Sequence, residues 1–284
     1  MLGFARYAMQ SPLRTGILAA VLAVLPFLYV ISAALVALAT LRHGISAGTR
    51  VLSAAIVGGL VSWLLTGVPL SLLVLTLVAL LAIVLRESRS WSRTLIAGAF
   101  IALAFALIGH DQFNEVFGGL MSFMQRAVTN GDTSTVEWQM LEAMKPYGAF
   151  VIMASEITEA LTSLVLARYW QAGLYNPGGF KAEMHNLRFS RMELAALMVA
   201  IMLVLQMQPG ALLLFGFPFV IVGIASIHGI VAKLNLGGQW LVALYILLML
   251  ANQIIVPLLI MLVLIDSFVD IRRWIQDRSR SDNE

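Results

Sequence analysis

Long apolar runs separated by short polar segments dominate the chain, and they set its architecture. An apolar run of about 20 residues can cross the hydrocarbon core of a bilayer as a helix. The pattern therefore predicts an all-α, polytopic transmembrane helical bundle with about eight membrane helices, built as a single domain over residues 1–284. The runs are Thr15–Leu41, Val51–Thr66, Leu70–Leu85, Thr94–Gly109, Tyr147–Leu166, Met192–Met207, Ala211–Val231 and Trp240–Ile265.

The first and last runs contain interruptions that leave two topologies open. Pro26 lies within the first run, and Asn252, Gln253 and Pro257 lie within the last. Proline removes a helix hydrogen bond, so each run is either a kinked span or a broken, re-entrant hairpin. The halves of such a hairpin, about 13 residues or roughly 20 Å each, are too short to cross. We count both runs as simple spans, around a six-helix core formed by the other runs.

The longest polar interval, residues 110–147, has its own pattern. Its apolar positions recur at helical spacing, which predicts an amphipathic helix lying on the membrane surface. A break is expected at residues 129–132, followed by a short second helix over Ser134–Met144. The apolar residues at helical spacing in this interval are Phe113, Val116, Phe117, Leu120, Met121 and Met124.

The C-terminal tail, residues 267–284, is basic and is predicted to be solvated.

Composition and charge agree with a membrane protein and orient it. The chain is 60% hydrophobic and only 12% charged, whereas a soluble domain is nearer a quarter charged. The loops holding Arg86–Arg93 and Arg168–Arg191 are basic and belong on the cytoplasmic side, while the acidic 110–147 interval belongs outside. The net charge of +3 thus reports orientation and not nucleic-acid binding. We expect a multi-pass protein of the bacterial inner membrane, with the bilayer as its main partner.

Two carboxylates in the fifth run are the leading functional candidates. Glu156 and Glu159 are three residues apart, so they share a helix face, which Ser163 continues. A charged carboxylate at the bilayer centre costs on the order of 3 kcal/mol, so these groups must face the bundle interior. One interpretation is a site for a proton, a cation or a small solute, with His228 and Asn252 as further candidates. The other is a pair of hydrogen-bonded structural anchors.

A basic and aromatic segment follows the carboxylates at the cytoplasmic end of the same run. Asn176-Pro177-Gly178-Gly179 is a strong turn signal. Its flanks form a patch suited either to lipid headgroups and plain anchoring or to a cytoplasmic or membrane protein partner. The flanking members of this patch are Arg168, Trp170, Arg188 and Arg191.

Signatures of enzymes, metals and cofactors are missing from the sequence. It has no HExxH, GxSxG or P-loop motif, and with no cysteine it has no thiolate chemistry. We therefore predict a non-enzyme without cofactor or metal. The favoured function is a transport-type component that binds a small solute or ion through its intramembrane carboxylates. The alternative is a non-catalytic membrane scaffold for cell-envelope or division machinery.

The segment after the carboxylates also carries a family resemblance. Residues 167–172, Ala-Arg-Tyr-Trp-Gln-Ala, lead into residues 174–180, Leu-Tyr-Asn-Pro-Gly-Gly-Phe, and then to Leu187-Arg188. With Leu41-Arg42-His43-Gly44 and Ser90-Trp91-Ser92, this resembles the YybS-like family of uncharacterised bacterial membrane proteins. The layout of that family is similar to the substrate-binding membrane components of vitamin and metal uptake systems. The resemblance implies a six-helix core and no assigned activity.

Overall fold

A computed structural model describes residues 1–128 and 136–275, and nearly all of these residues are helical. The break predicted at residues 129–132 lies outside the described residues, as does the end of the tail. Short 3-10 turns at Lys145–Tyr147 and Pro209–Ala211 lead into α9 and α12. The helices are α1 (Leu2–Ala8), α2 (Pro12–Val24), α3 (Tyr29–His43), α4 (Ile45–Thr66), α5 (Leu70–Ser88), α6 (Trp91–Ile108), α7 (His110–Val128), α8 (Val136–Glu142), α9 (Gly148–Tyr175), α10 (Gly179–His185), α11 (Arg191–Met207), α12 (Leu212–Lys233), α13 (Gln239–Leu250) and α14 (Asn252–Val269).

Six helices in the described residues are long and apolar enough to cross a membrane: α4, α5, α6, α9, α12 and α14. The predicted all-α polytopic bundle is thereby confirmed. These six helices correspond to the six regular apolar runs of the sequence with one exception. Helix α11, which forms the sixth run, has 17 residues, and the six include α14 from the last run in its place.

The first apolar run is a helical hairpin, so counting it as a simple span was wrong. Helix α2 ends at Val24 and α3 begins at Tyr29. Between them, Pro26 supplies no backbone donor and Phe27 adopts a left-handed φ of 63°, which turns the chain back. The Ser32 hydroxyl donates to the Ala19 carbonyl at 2.7 Å, which places the two helices side by side and antiparallel.

The last apolar run is also broken, and the same correction applies to it. Helices α13 and α14 meet at Ala251, where the backbone leaves the helical region, while Pro257 lies inside α14. Lys233 ends α12, six residues before α13 begins at Gln239. Its ammonium donates a hydrogen bond of 3.0 Å to the carbonyl of Arg272, which lies three residues after the end of α14. Both ends of this pair therefore lie at the same end of the bundle.

With both runs folded back, the basic residues collect at one end of the bundle. We call this the basic end: it holds both ends of the described chain and the α5–α6 and α9–α10 connections. Helix α1 reaches it through Phe4, which packs on Trp170 with ring centroids 5.9 Å apart. Among the basic residues of the described ranges, only Arg126 and Lys145 lie at the opposite end. By the positive-inside rule, this arrangement predicts that the basic end is cytoplasmic, without the exceptions that two simple spans would require.

Helix α9 is the central helix, in contact with α3, α5, α6, α7 and α12. Most of its apolar residues are buried, whereas Ser155, Thr158 and Thr162 are exposed along one side. The α2–α3 hairpin packs between α9 and α4, and small residues allow close approach. A Cβ on Gly58 of α4 would lie 1.9 Å from the Ala20 carbonyl oxygen of α2, so glycine is required at this crossing.

Helix α7 has the apolar face that the sequence predicts. Phe117 and Met121 are buried with Trp138 and Ile152 in a small cluster against α9. The side-chain oxygen of Asn114 accepts a hydrogen bond of 2.8 Å from the Ala149 amide, which caps the N-terminus of α9. This contact fixes α7 across the end of the bundle opposite the basic end.

The prediction that the tail of residues 267–284 is solvated was wrong for its first residues. Ser267 and Arg272 are both buried, because Arg272 is paired with the equally buried Asp266. The part beyond residue 275 lies outside the described residues.

Candidate functional site

The two predicted carboxylates lie on α9, in different environments. Glu156 is only 2% exposed, and its Oε2 has no hydrogen-bond partner in the part of the chain that the structure describes. Glu159, one turn later, is half-buried and accepts a hydrogen bond of 2.6 Å from the Tyr29 hydroxyl. A buried acceptor without a donor is unusual in a folded protein and asks for an explanation, such as a proton or an ion.

The hairpin break lies beside this pair. Tyr29 is the first residue of α3, and at the far end of α3 the Leu41 carbonyl accepts a hydrogen bond of 3.2 Å from the Gln171 side chain. Both contacts join residues 130 positions apart, so α3 and α9 run parallel and in step. Glu156 precedes Glu159 by three residues, or about 4.5 Å of helix rise, which places it level with the break.

The other predicted site residues are not brought to the glutamates. The Ser163 hydroxyl donates to the Glu159 main-chain carbonyl at 2.9 Å and is satisfied within its own helix. The ring of His228 on α12 forms a hydrogen bond of 2.9 Å with the Tyr245 hydroxyl. Asn252 is exposed at the start of α14. The side chain that the structure brings to Glu159 is that of Tyr29. Its position three residues after Pro26, near the break in the first apolar run, was the only sign of this in the sequence.

Four surface clefts lie elsewhere on the molecule, and neither Glu156 nor Glu159 lines any of them. The volumes of these clefts are about 620 to 950 Å³. The nearest along α9 is a cleft of about 950 Å³ beneath α7, which Ile152 lines one helical turn before Glu156. Glu156 itself is buried, whereas Glu159 on the same helix face is half-buried.

The predicted cytoplasmic patch is largely engaged within the chain. Arg168 forms a salt bridge with Glu183 of α10, and the Trp91 indole donates to the same carboxylate at 3.1 Å. Burial by itself would raise the pKa of Glu183, but the hydrogen bonds from Arg168 and Trp91 outweigh it and hold that pKa below its ordinary value of 4.5. The network ties α10 to α6 and α9.

The remaining patch residues hold other parts of the basic end together. Arg188 forms a salt bridge with Asp270, and Arg191 donates to the Phe268 carbonyl at 3.2 Å, so both secure the end of α14. Trp170 is buried beneath α1 and is not a surface residue. The Asn176–Gly179 turn forms between α9 and α10, and Gly178 adopts the left-handed φ of 86° that such a turn needs.

A buried ion pair at the end of α14 escaped the sequence analysis. The Arg272 guanidinium donates to Asp266 at 2.8 Å and to the His185 carbonyl at 2.9 Å, and both charged side chains are at most 3% exposed. A Cβ on Gly229 of α12 would lie 2.6 Å from that same His185 carbonyl, so the glycine makes room for it. The signal was an aspartate at the last turn of an apolar run followed by an arginine.

No group of three histidine, cysteine or acidic side chains that could hold a metal ion is found among the described residues. Comparison with known proteins finds no family model, no curated protein and no solved structure that matches the chain. The resemblance to the YybS-like family stays a prediction.

Proposed function

We propose that the protein is a transport component of the bacterial inner membrane that binds a proton or a small cation at Glu156 and Glu159. The observation that carries the proposal is the unpartnered carboxyl oxygen of the buried Glu156. A carboxyl group at membrane depth is functional more often than not, because its insertion is costly and a structural role is better served by a neutral group.

The position of the pair beside a helix break supports this function. Secondary transporters commonly bind their ions or substrates where helices are interrupted near the middle of the membrane. Non-helical backbone at that depth is tolerated only where protein or a cavity surrounds it. The Tyr29–Glu159 hydrogen bond connects the hairpin to the carboxyl pair. A change in charge at Glu156 or Glu159 would alter this contact and thereby couple ion binding to a shift of α2–α3.

Vibrational spectroscopy of the full-length protein in lipid tests the proposal directly. As the pH is varied, we expect a reversible carbonyl band of a protonated carboxyl group, sensitive to hydrogen–deuterium exchange, which disappears in Glu156→Gln. In proteoliposomes, the wild-type protein should dissipate an imposed pH or sodium gradient, and the variant should not. Glu142→Gln is the matched control, because Glu142 is an exposed carboxylate paired with Lys145 outside the membrane runs.

The proposal is overturned if Glu156→Gln retains both the band and the flux of the wild-type protein. A band that is lost while no flux of either ion occurs in any variant would show a titrating structural carboxyl and would reject transport.

The alternative hypothesis, a membrane scaffold, predicts docking through the cytoplasmic patch and the basic tail. Helix α13 has only Leu244 buried, so most of its surface is free to face lipid or a partner helix. The arginines of the cytoplasmic patch, in contrast, are bonded within the chain, which weakens the case for docking there. Lys181 on α10 is exposed. If docking through the patch were the main function, Lys181→Glu would lose partners in a membrane pull-down, and Glu156→Gln would keep them.

A further inference from the structure

A cleft of about 860 Å³ lies between the start of α2 and the start of α4, with α3 as its floor, near the basic end. It contains no acidic residue and does not include the carboxyl pair. Its lining includes Gln10, Leu13, Ile17, His43, Ala47, Arg50 and Val57.

The end of the cleft nearest the cytoplasm is polar and cationic. Arg50 is exposed, and only its Nε is used, donating to the Ser46 carbonyl at 3.2 Å, so its terminal nitrogens have no partner in the described ranges. The side-chain oxygen of Gln10 accepts from Arg14, which leaves its amide NH₂ free to donate. With His43 beside them, these groups offer hydrogen-bond donors and a positive charge to an anion.

The other end of the cleft is apolar and continues toward the middle of the membrane. Along α4 it extends from Arg50 to Val57, a rise of roughly 10 Å at 1.5 Å per residue. Its rim consists of side chains that are more than half exposed, including Leu13, Ile17 and Val57. In a bilayer this rim faces acyl chains, so the cleft is open sideways to lipid.

We propose that this cleft binds an anionic phospholipid of the cytoplasmic leaflet. Its phosphate lies against Arg50 and Gln10, and one acyl chain lies along the groove between α2 and α4. Charge selects the headgroup, because the lining holds a cation and no carboxylate. The apolar end selects an amphiphile over a free anion, and basic pockets between membrane helices on this side are known to suit phosphate headgroups. A lipid seated here contacts both the hairpin and α4.

Thermal unfolding and native mass spectrometry of the detergent-purified full chain test the site. Added phosphatidylglycerol should raise the melting temperature and remain bound, whereas phosphatidylcholine should do so weakly. Arg50→Gln should weaken phosphatidylglycerol binding roughly tenfold, the loss expected for one charge-assisted hydrogen bond. Arg6→Gln, an exposed arginine at the same end outside the cleft, is the matched control and should keep wild-type binding. Ala47→Trp fills the groove without changing charge and should also weaken binding.

Three results would overturn the proposal. Equal losses in Arg50→Gln and Arg6→Gln would show diffuse attraction to surface charge. Equal melting shifts with phosphatidylglycerol and phosphatidylcholine would show that the charge of the headgroup is not recognised. A full melting shift from glycerol phosphate, which has no acyl chain, would show that the apolar groove is not used. If Arg50→Gln proves unstable, Ala47→Trp still decides whether the groove is occupied.

Discussion

At the scale of single residues, the buried Asp266–Arg272 pair has the clearest energetic consequence. Both charges are shielded from water, so removal of one partner leaves the other unpaired and costs about 3–5 kcal/mol. We expect Asp266→Asn or Arg272→Gln to lower the free energy of unfolding by that amount, measured by denaturant titration in detergent. The double variant Asp266→Asn with Arg272→Gln should be less destabilised than the sum of the two single changes. Strictly additive losses would mean that the pair does not interact.

Glu183 provides a second residue-scale prediction, which depends on pH. Its pKa is lower in the folded protein than the ordinary value of 4.5. The stability that it contributes is therefore fully present above pH 4.5 and is lost as the pH falls through the folded pKa. The wild-type melting temperature should exceed that of Glu183→Gln at neutral pH, and the gap should narrow below pH 4.5. If the difference in melting temperature stays constant below pH 4.5, the stabilisation by Glu183 comes from packing and not from its charge.

At the scale of elements, the α2–α3 hairpin is the feature most open to test. A Cβ placed on Gly16 of α2 would lie 3.5 Å from the Cβ of Ala54 on α4, a separation that suits a disulfide. The chain has no cysteine, so the pair Gly16→Cys with Ala54→Cys can be studied without interference. We expect mild oxidation in membranes to cross-link the two positions.

A cross-link between these two cysteines would also exclude the alternative in which the first apolar run is a single straight span. The contact of Thr40 with Gly48 pairs α3 with α4 in antiparallel fashion, which brings residue 34 level with residue 54. If residues 15–41 formed one span, Gly16 would lie 18 residues, or roughly 27 Å, from that level, and no cross-link could form. Ala54→Cys with Gly118→Cys is the negative control, because Ala54 lies within α4 and Gly118 lies on α7, at the end of the bundle opposite the basic end.

At the scale of the whole molecule, two hairpins place both ends of the described chain on one side of the membrane. Gly3 and Gly118 are exposed, and a Cβ on either would meet no atom within 4 Å, so cysteine fits both positions. A membrane-impermeant maleimide that reaches the outer face of the membrane of intact cells should label Gly118→Cys and leave Gly3→Cys unlabelled. Lysis should expose Gly3→Cys to the reagent. The reverse pattern would invert the orientation, and labelling of both before lysis would contradict the paired hairpins.

The sequence by itself determined the class of the molecule and predicts its orientation. A protein with this many long apolar runs has too few polar residues to cover them in water, so its helices must face lipid. The charges of the loops distinguish the two ends of the bundle. It also predicted α7 and the Asn176–Gly179 turn, because helical spacing and glycine conformation are local properties. Glu156 and Glu159 were recognisable for the same reason: an acid within an apolar run is visible without coordinates.

Tertiary structure alone decided the form of the two interrupted runs and the partners of the charged groups. Pro26 permits either a kink or a reversal, and packing against α4 and α9 selects the reversal. The Tyr29–Glu159 contact, the Asp266–Arg272 pair and the lone Oε2 of Glu156 each depend on helices that are distant in sequence. Helical periodicity shows which residues share a face, but it contains no information on which other helix that face meets.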